Sequence, residues 1–275
     1  MKTSIQAWNE AAHHATRLSG MGVGELVSSV LGEPLRELEE KVASCEQTAS
    51  NSLRYLVSQQ LAVNELQDWA SPPKATGSVV FVPQLHEFGD QGDDEAYQFQ
   101  QALATFILGR ASPQKDVLIV EGVFAGPVNE SRIIKQLGDL ERIRGNRPRN
   151  RSFYDRIMNQ LRRQNPVFDL TLSGRFHSAG IEVPWVSEMC QVALAIEDAN
   201  PVGVSLPIAY LLIELRNRIA LKCAIGRMAA SSRRAVIVMG ALHAFGLQNA
   251  AEKAGLQWEM WIHPSLATYF SNHFD

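Results

Sequence analysis

An alternation of short, continuous apolar runs with longer segments of helical pattern constrains this chain more than any other feature. The runs cover residues 78–82, 117–120, 181–183, 235–239 and 258–262. Ser78-Val79-Val80-Phe81-Val82 and Ala235-Val236-Ile237-Val238-Met239 do not alternate polar with apolar residues, so both of their faces must be covered. Helix-like stretches lie near residues 94–109, 131–142, 154–164, 186–198, 207–230 and 245–254. Strands buried on both faces and interleaved with helices predict an α/β fold, a mostly parallel sheet covered by helices.

Residues 1–75 read differently. They hold no β-rich run, and Leu35, Leu38, Val42, Leu53, Leu56, Val57 and Leu61 recur mostly at spacings of three and four, as on amphipathic helices. Ser71-Pro72-Pro73 closes the segment. The expectation is a helical N-terminal extension over 1–75, packed on an α/β domain over 76–275. Lys and Arg total 26 against 29 for Asp and Glu, which gives no whole-chain reason to expect nucleic acid as a partner. The three cysteines, Cys45, Cys190 and Cys223, are far apart and form no C-x-x-C pair, against both a disulfide framework and a cysteine zinc site. The first residues lack an apolar signal core, and no stretch approaches the ~20 apolar residues of a membrane span, so a cytoplasmic location is expected. No G-x-S-x-G elbow, Walker A sequence or strand-borne G-x-G-x-x-G is present.

In an open α/β sheet the ligand site lies beyond the carboxyl ends of the strands, so the residues that end the strands are the informative ones. The first run leads into Pro83-Gln84-Leu85-His86, the second into Glu121-Gly122, and the run at 235–239 into Gly240-Ala241-Leu242-His243. His86, Glu121 and His243 thus emerge from one edge. Neutral imidazoles with a carboxylate suit a divalent transition metal, and they suit equally a histidine base oriented by a carboxylate.

On the helix over 207–230, Ala209, Leu212, Ile213, Ile219, Ala220 and Cys223 share a stripe that includes Arg216. A guanidinium there must meet a carboxylate, with Glu121 and Glu182 the candidates, or a substrate anion. Glu214 and Arg218 read as an i,i+4 pair on the exposed side. The Arg-rich segment 142–163 reads as a solvated face, and His177 as a loop residue.

These residues bring a family to mind by their order. The series resembles the TraB/Tiki superfamily, with its ChaN-like haem-uptake and erythromycin-esterase-like relatives, whose members carry an early G-x-x-H, a Glu at the end of the next strand, an Arg on a late helix and a second G-x-x-H. The matching segments here are Ile119-Val120-Glu121-Gly122, Glu214-Leu215-Arg216-Asn217-Arg218 and Gly240-Ala241-Leu242-His243; Pro83 stands in place of the first Gly. The resemblance implies a site of His86, Glu121, Arg216 and His243. It further implies a hydrolase of peptide or ester bonds, with manganese, cobalt, zinc or iron held by His86, Glu121 and His243. Arg216 would then hold an anionic part of a small-molecule or peptide substrate. Two other outcomes are compatible with it: a metal-free esterase with histidine as base, and a ChaN-like protein that binds haem or iron without turnover.

Overall fold

The computed structural model describes residues 22–31, 34–45, 47–60, 74–85, 93–199, 206–231 and 234–267. The helices are α1 (Val23–Leu31), α2 (Leu35–Ala43), α3 (Gln47–Ser58), α4 (Asp93–Arg110), α5 (Glu130–Ile143), α6 (Arg151–Gln164), α7 (Pro166–Leu172), α8 (Pro184–Ala199), α9 (Leu206–Ser231) and α10 (Ala244–Ala254). The strands are β1 (Ser78–Gln84), β2 (Asp116–Phe124), β3 (Gly126–Pro127), β4 (His177–Glu182), β5 (Arg234–Gly240) and β6 (Gln257–Met260). They form one sheet in the order β3-β4-β2-β5-β1-β6. The pairs β1/β5, β1/β6 and β2/β5 are parallel, and the two-residue β3 pairs antiparallel with β4. The α/β expectation therefore holds.

Contacts divide the chain into two compact units. The first joins residues 1–72 to segments 137–148 and 182–219; the second takes 73–136, 149–181 and 220–275. The N-terminal helices thus share their unit with two later segments of the chain, and within it α3 packs along α8. Leu38, Val42 and Leu53 of the N-terminal helices, with Val186 and Val192 of α8, are buried there. A carboxylate lies among them. Glu188, fully buried on α8, accepts from Ser52 Oγ of α3 and from Arg144 at 3.1 Å. Burial, and then the Glu188 charge, push the Tyr55 hydroxyl to a higher pKa.

The second unit holds the sheet from β1 to β6. Its central strands are sealed on both faces: Val79, Val80, Phe81 and Val82 of β1 and Ala235 to Met239 of β5 have no exposed surface. This is why both runs are continuously apolar. Helix α10 packs on β1 and β6, and α7 packs on β2. Helix α10 stops at Gly255, whose φ of 87° lies in the left-handed region, and the chain turns directly into β6. Helix α7 is missing from the sequence reading because it is seven residues long and follows α6 after one residue, Asn165. That side chain caps α7 by accepting the Phe168 N–H, and Pro166 sets the first helical φ.

Where the chain leaves β2, Ala125 bridges to Gly180 of β4. A Cβ at Gly180 would collide with the backbone carbonyl oxygen of Val123, so backbone would have to shift to admit it. Gly180→Ala should therefore destabilise the second unit by about 1–3 kcal/mol, the usual cost of overpacking. Urea denaturation beside the unaltered protein measures it, and an unchanged midpoint would show that β4 can shift sideways.

Candidate functional site

The register of the parallel strands fixes what meets at the carboxyl edge of the second unit. Val120 of β2 pairs with Val238 of β5, so Glu121 falls one step further along, beside the end of β5. Gln84 of β1 pairs with Gly240, the last residue of β5. From Gly240 the chain enters a single 3-10 turn, Ala241–His243, and then α10. Ala241 and His243 are both buried.

That turn brings His243 back toward Glu121. His243 Nε2 lies 3.9 Å from Glu121 Oε1, and both side chains are more than nine-tenths buried. The distance is too long for a hydrogen bond and well inside the range of Coulombic attraction to an imidazolium. The second carboxylate oxygen, Oε2, accepts the Gly240 N–H at 2.7 Å. A backbone amide at the end of β5 thereby fixes the carboxylate that faces the imidazole.

Glu121 was expected at the tip of a strand ending at Val120. The strand continues to Phe124, so Glu121 is a strand residue, and its neighbour Gly122 adopts a φ of 81°. The sequence reading passed over Gln84 and Gln100. Both amides are buried, and Gln100 of α4 donates to the Leu85 carbonyl at 3.2 Å and to Gln84 Oε1 at 3.5 Å. They hold the backbone at the end of β1, one residue before His86. His86 itself lies outside the described residues.

Arg216 belongs to the first unit, where its guanidinium donates to Glu182 at 2.7 Å. Glu182, the last residue of β4, is one of the partners considered for it, and the two are in direct contact. The reading of Glu214 and Arg218 as an exposed pair is corrected. Their side chains are 2% and 5% exposed, against 20% for Arg216, and Arg218 donates to Glu214 at 3.1 Å. The periodicity misled because α9 is apolar and buried around most of its circumference from Leu212 to Leu221. It therefore has no solvent side here on which to put a charged pair. Each of these two guanidiniums meets a carboxylate, which is how buried charges are tolerated.

His177 opens β4 and lines a cavity of about 460 Å³ with Val117 and Arg227, beside the amino end of β2. In the Arg-rich segment, Arg142 pairs with Asp139, Arg151 with Asp155, and Arg162 with Glu130, but Arg144 turns inward to the buried Glu188, so the reading of a solvated face is corrected at that residue. His263 follows β6, with its ring edge-on to Phe99 and Phe106 and its pKa lowered by burial. Three strand positions separate it from β2, roughly 14 Å at the ordinary strand spacing. Burial pushes the Cys223 thiol up, Arg227 offsetting only part of this, which disfavours the nucleophilic thiolate.

Among the described residues, no group of three His, Cys, Asp or Glu side chains is placed to hold a metal ion. One imidazole and one carboxylate, His243 and Glu121, supply two donors of the expected set. No helix among the described residues is long and apolar enough to cross a membrane. Comparison with models of known protein families, with curated proteins and with solved structures finds no match for this chain. The fold and the site thus define an α/β protein with a buried histidine–carboxylate pair at the carboxyl edge of a parallel sheet.

Proposed function

We propose that this chain is a hydrolase of ester or peptide bonds, with His243 and Glu121 as the centre of its chemistry. The observation that carries the reading is the buried His243–Glu121 pair, its carboxylate anchored by the Gly240 N–H, at the edge where α/β sheets place their ligands. A neutral imidazole so placed can take a proton from water as the water oxygen bonds to the substrate carbonyl carbon. The same proton then passes to the departing alcohol or amine as the carbonyl–heteroatom bond breaks. Glu121 takes no proton in these steps. It favours the tautomer with the proton on Nε2, leaves Nδ1 as the basic nitrogen, and stabilises the imidazolium that forms.

The same two side chains suit a divalent transition metal, with His86 as the third ligand expected from the sequence. Such an ion, when bound, supplies a water of lowered pKa and polarises the scissile carbonyl. In that case Glu121 and His243 act by holding and orienting it. Arg216, held by Glu182, is left out of these steps.

The test combines metal analysis with turnover. The protein and its His243→Ala variant are analysed by plasma mass spectrometry, then assayed on p-nitrophenyl esters and peptide anilides with and without a chelator. Metal near one equivalent that His243→Ala loses, with turnover abolished by chelation, is expected for the metal-dependent hydrolase. Turnover that survives exhaustive chelation yet disappears in His243→Ala is expected for the histidine base. Full activity in His243→Ala would overturn both.

A further inference from the structure

The cavity of about 460 Å³ beside the amino end of β2 lies wholly within the second unit. Val117, which lines it, stands four residues before Glu121, roughly 13 Å along the strand at the ordinary rise. The cavity is therefore separate from the His243–Glu121 pair. Its wall has two characters. Val117, Pro127 and Ala230 supply apolar surface, while Arg227 of α9 and His177 and Ser178 of β4 supply hydrogen-bonding groups. Among the described residues, none that lines it is acidic. Arg227 is half-buried, as an arginine is when it has a partner. Arg216 and Arg218 on the same helix each meet a carboxylate, whereas among the described residues none is in ion-pair contact with Arg227. Its neighbour one turn back is the Cys223 thiol, and burial disfavours the thiolate, so that group supplies no counter-charge.

We propose that this cavity binds a small organic monocarboxylate, with Arg227 on the carboxylate, His177 and Ser178 giving further hydrogen bonds, and Val117, Pro127 and Ala230 against its hydrocarbon body. A guanidinium presents a planar fork of N–H donors that a carboxylate accepts in two parallel bonds. The charge count selects this class over a phosphate monoester. Among the described lining residues Arg227 is the only arginine or lysine, one fixed charge for one. A phosphate monoester carries up to about two charges at neutral pH and is met by clusters of arginine. The volume falls in the range of small-molecule sites and exceeds what a bare carboxylate group would fill, so the ligand has a body as well as a charge. The site does not depend on the hydrolase reading, since none of its residues takes part in those steps.

The experiment is calorimetric titration of the full chain with benzoate, benzyl alcohol and phenyl phosphate, repeated on Arg227→Gln, Arg227→Lys and His177→Gln. Benzyl alcohol keeps the ring without the charge, and phenyl phosphate keeps the ring with a second charge. The expected result is saturable binding of benzoate, with benzyl alcohol at least about tenfold weaker. Arg227→Gln should weaken benzoate by at least about tenfold, and Arg227→Lys, which keeps the charge but not the fork, by a smaller factor. A melting curve for each protein confirms that the fold is retained. Should Arg227→Gln melt early, His177→Gln, at the exposed start of β4, gives the reading instead, with a loss of at least about threefold. No saturable benzoate binding by about 10 mM overturns the site. So does benzoate binding that the substitutions leave unchanged, or benzyl alcohol binding as tightly as benzoate. Phenyl phosphate binding more than about tenfold tighter than benzoate overturns the assignment to a monocarboxylate.

Discussion

On the proposed hydrolase reading, Glu121→Gln should lower kcat by roughly 10²–10³-fold while leaving the melting temperature within a few degrees of the parent. The substitution keeps the shape of the side chain, and the amide oxygen of Gln can still accept the Gly240 N–H that Glu121 Oε2 accepts at 2.7 Å. It removes the negative charge 3.9 Å from His243 Nε2. An imidazole acting as base becomes a cation in the transition state, and the variant withdraws from that buried cation the charge that Glu121 supplies. Because the charge develops only as the proton moves, the loss should fall on kcat with KM little changed. Steady-state kinetics on whichever ester or anilide the protein turns over, beside a thermal melt, separates this from misfolding. A Glu121→Gln protein as active as the parent would reduce Glu121 to a strand-end anchor for Gly240. Glu121→Ala should be at least as slow and also less stable, since it leaves the Gly240 N–H without this acceptor.

Glu188→Ala is the substitution expected to cost most in stability, on the order of 3–5 kcal/mol. Glu188 is fully buried on α8, and it takes hydrogen bonds from Ser52 Oγ and from Nε and Nη2 of Arg144, at 3.3 and 3.1 Å. Three stretches of sequence remote from one another meet at this one carboxylate. Truncation leaves a guanidinium that is four-fifths buried without its counter-ion, and a fully buried hydroxyl without its acceptor. Breaking one side of such a pair is far more damaging than replacing both, so Glu188→Leu combined with Arg144→Met should recover most of the loss. Denaturant titration of the three variants measures it; equal losses for the single and double replacements would show that the network adds nothing beyond packing. A second readout is the Tyr55 hydroxyl. The Glu188 charge contributes to its raised pKa, after burial, so in the single variant it should titrate at lower pH while staying above the ordinary phenol.

Much of the fold was legible because burial on both faces of a strand leaves a direct mark. A strand covered by helices on each side must be apolar at every position, and β1 and β5 were visible as continuous runs for that reason. Helices α4, α5, α6, α8, α9 and α10 fall within three residues of where periodicity and punctuation put them. The two-residue β3 and the short α7 were not visible, since neither is long enough to show a period. On α9 the periodic signal itself failed. Glu214 and Arg218 follow the i,i+4 spacing of a surface pair, yet that spacing is equally the spacing of two charges that neutralise each other inside a core.

The sequence by itself determined the α/β class, the order of the longer strands and helices, and the placing of Glu121 and the turn bearing His243 after apolar runs. These are local facts, written in hydrophobicity and in glycines such as Gly255. Tertiary structure alone decided which strands lie side by side, and hence that β5 sits between β1 and β2 and carries His243 to within 3.9 Å of Glu121. It alone brought Glu182 to Arg216, and made Glu188 the meeting point of α3, α8 and Arg144. The physical reason is the same in each case. A strand's apolar pattern records that it is covered and not by what, and a charged side chain records that it needs a counter-ion and not which one; both choices are made by chain segments distant in sequence when the core closes.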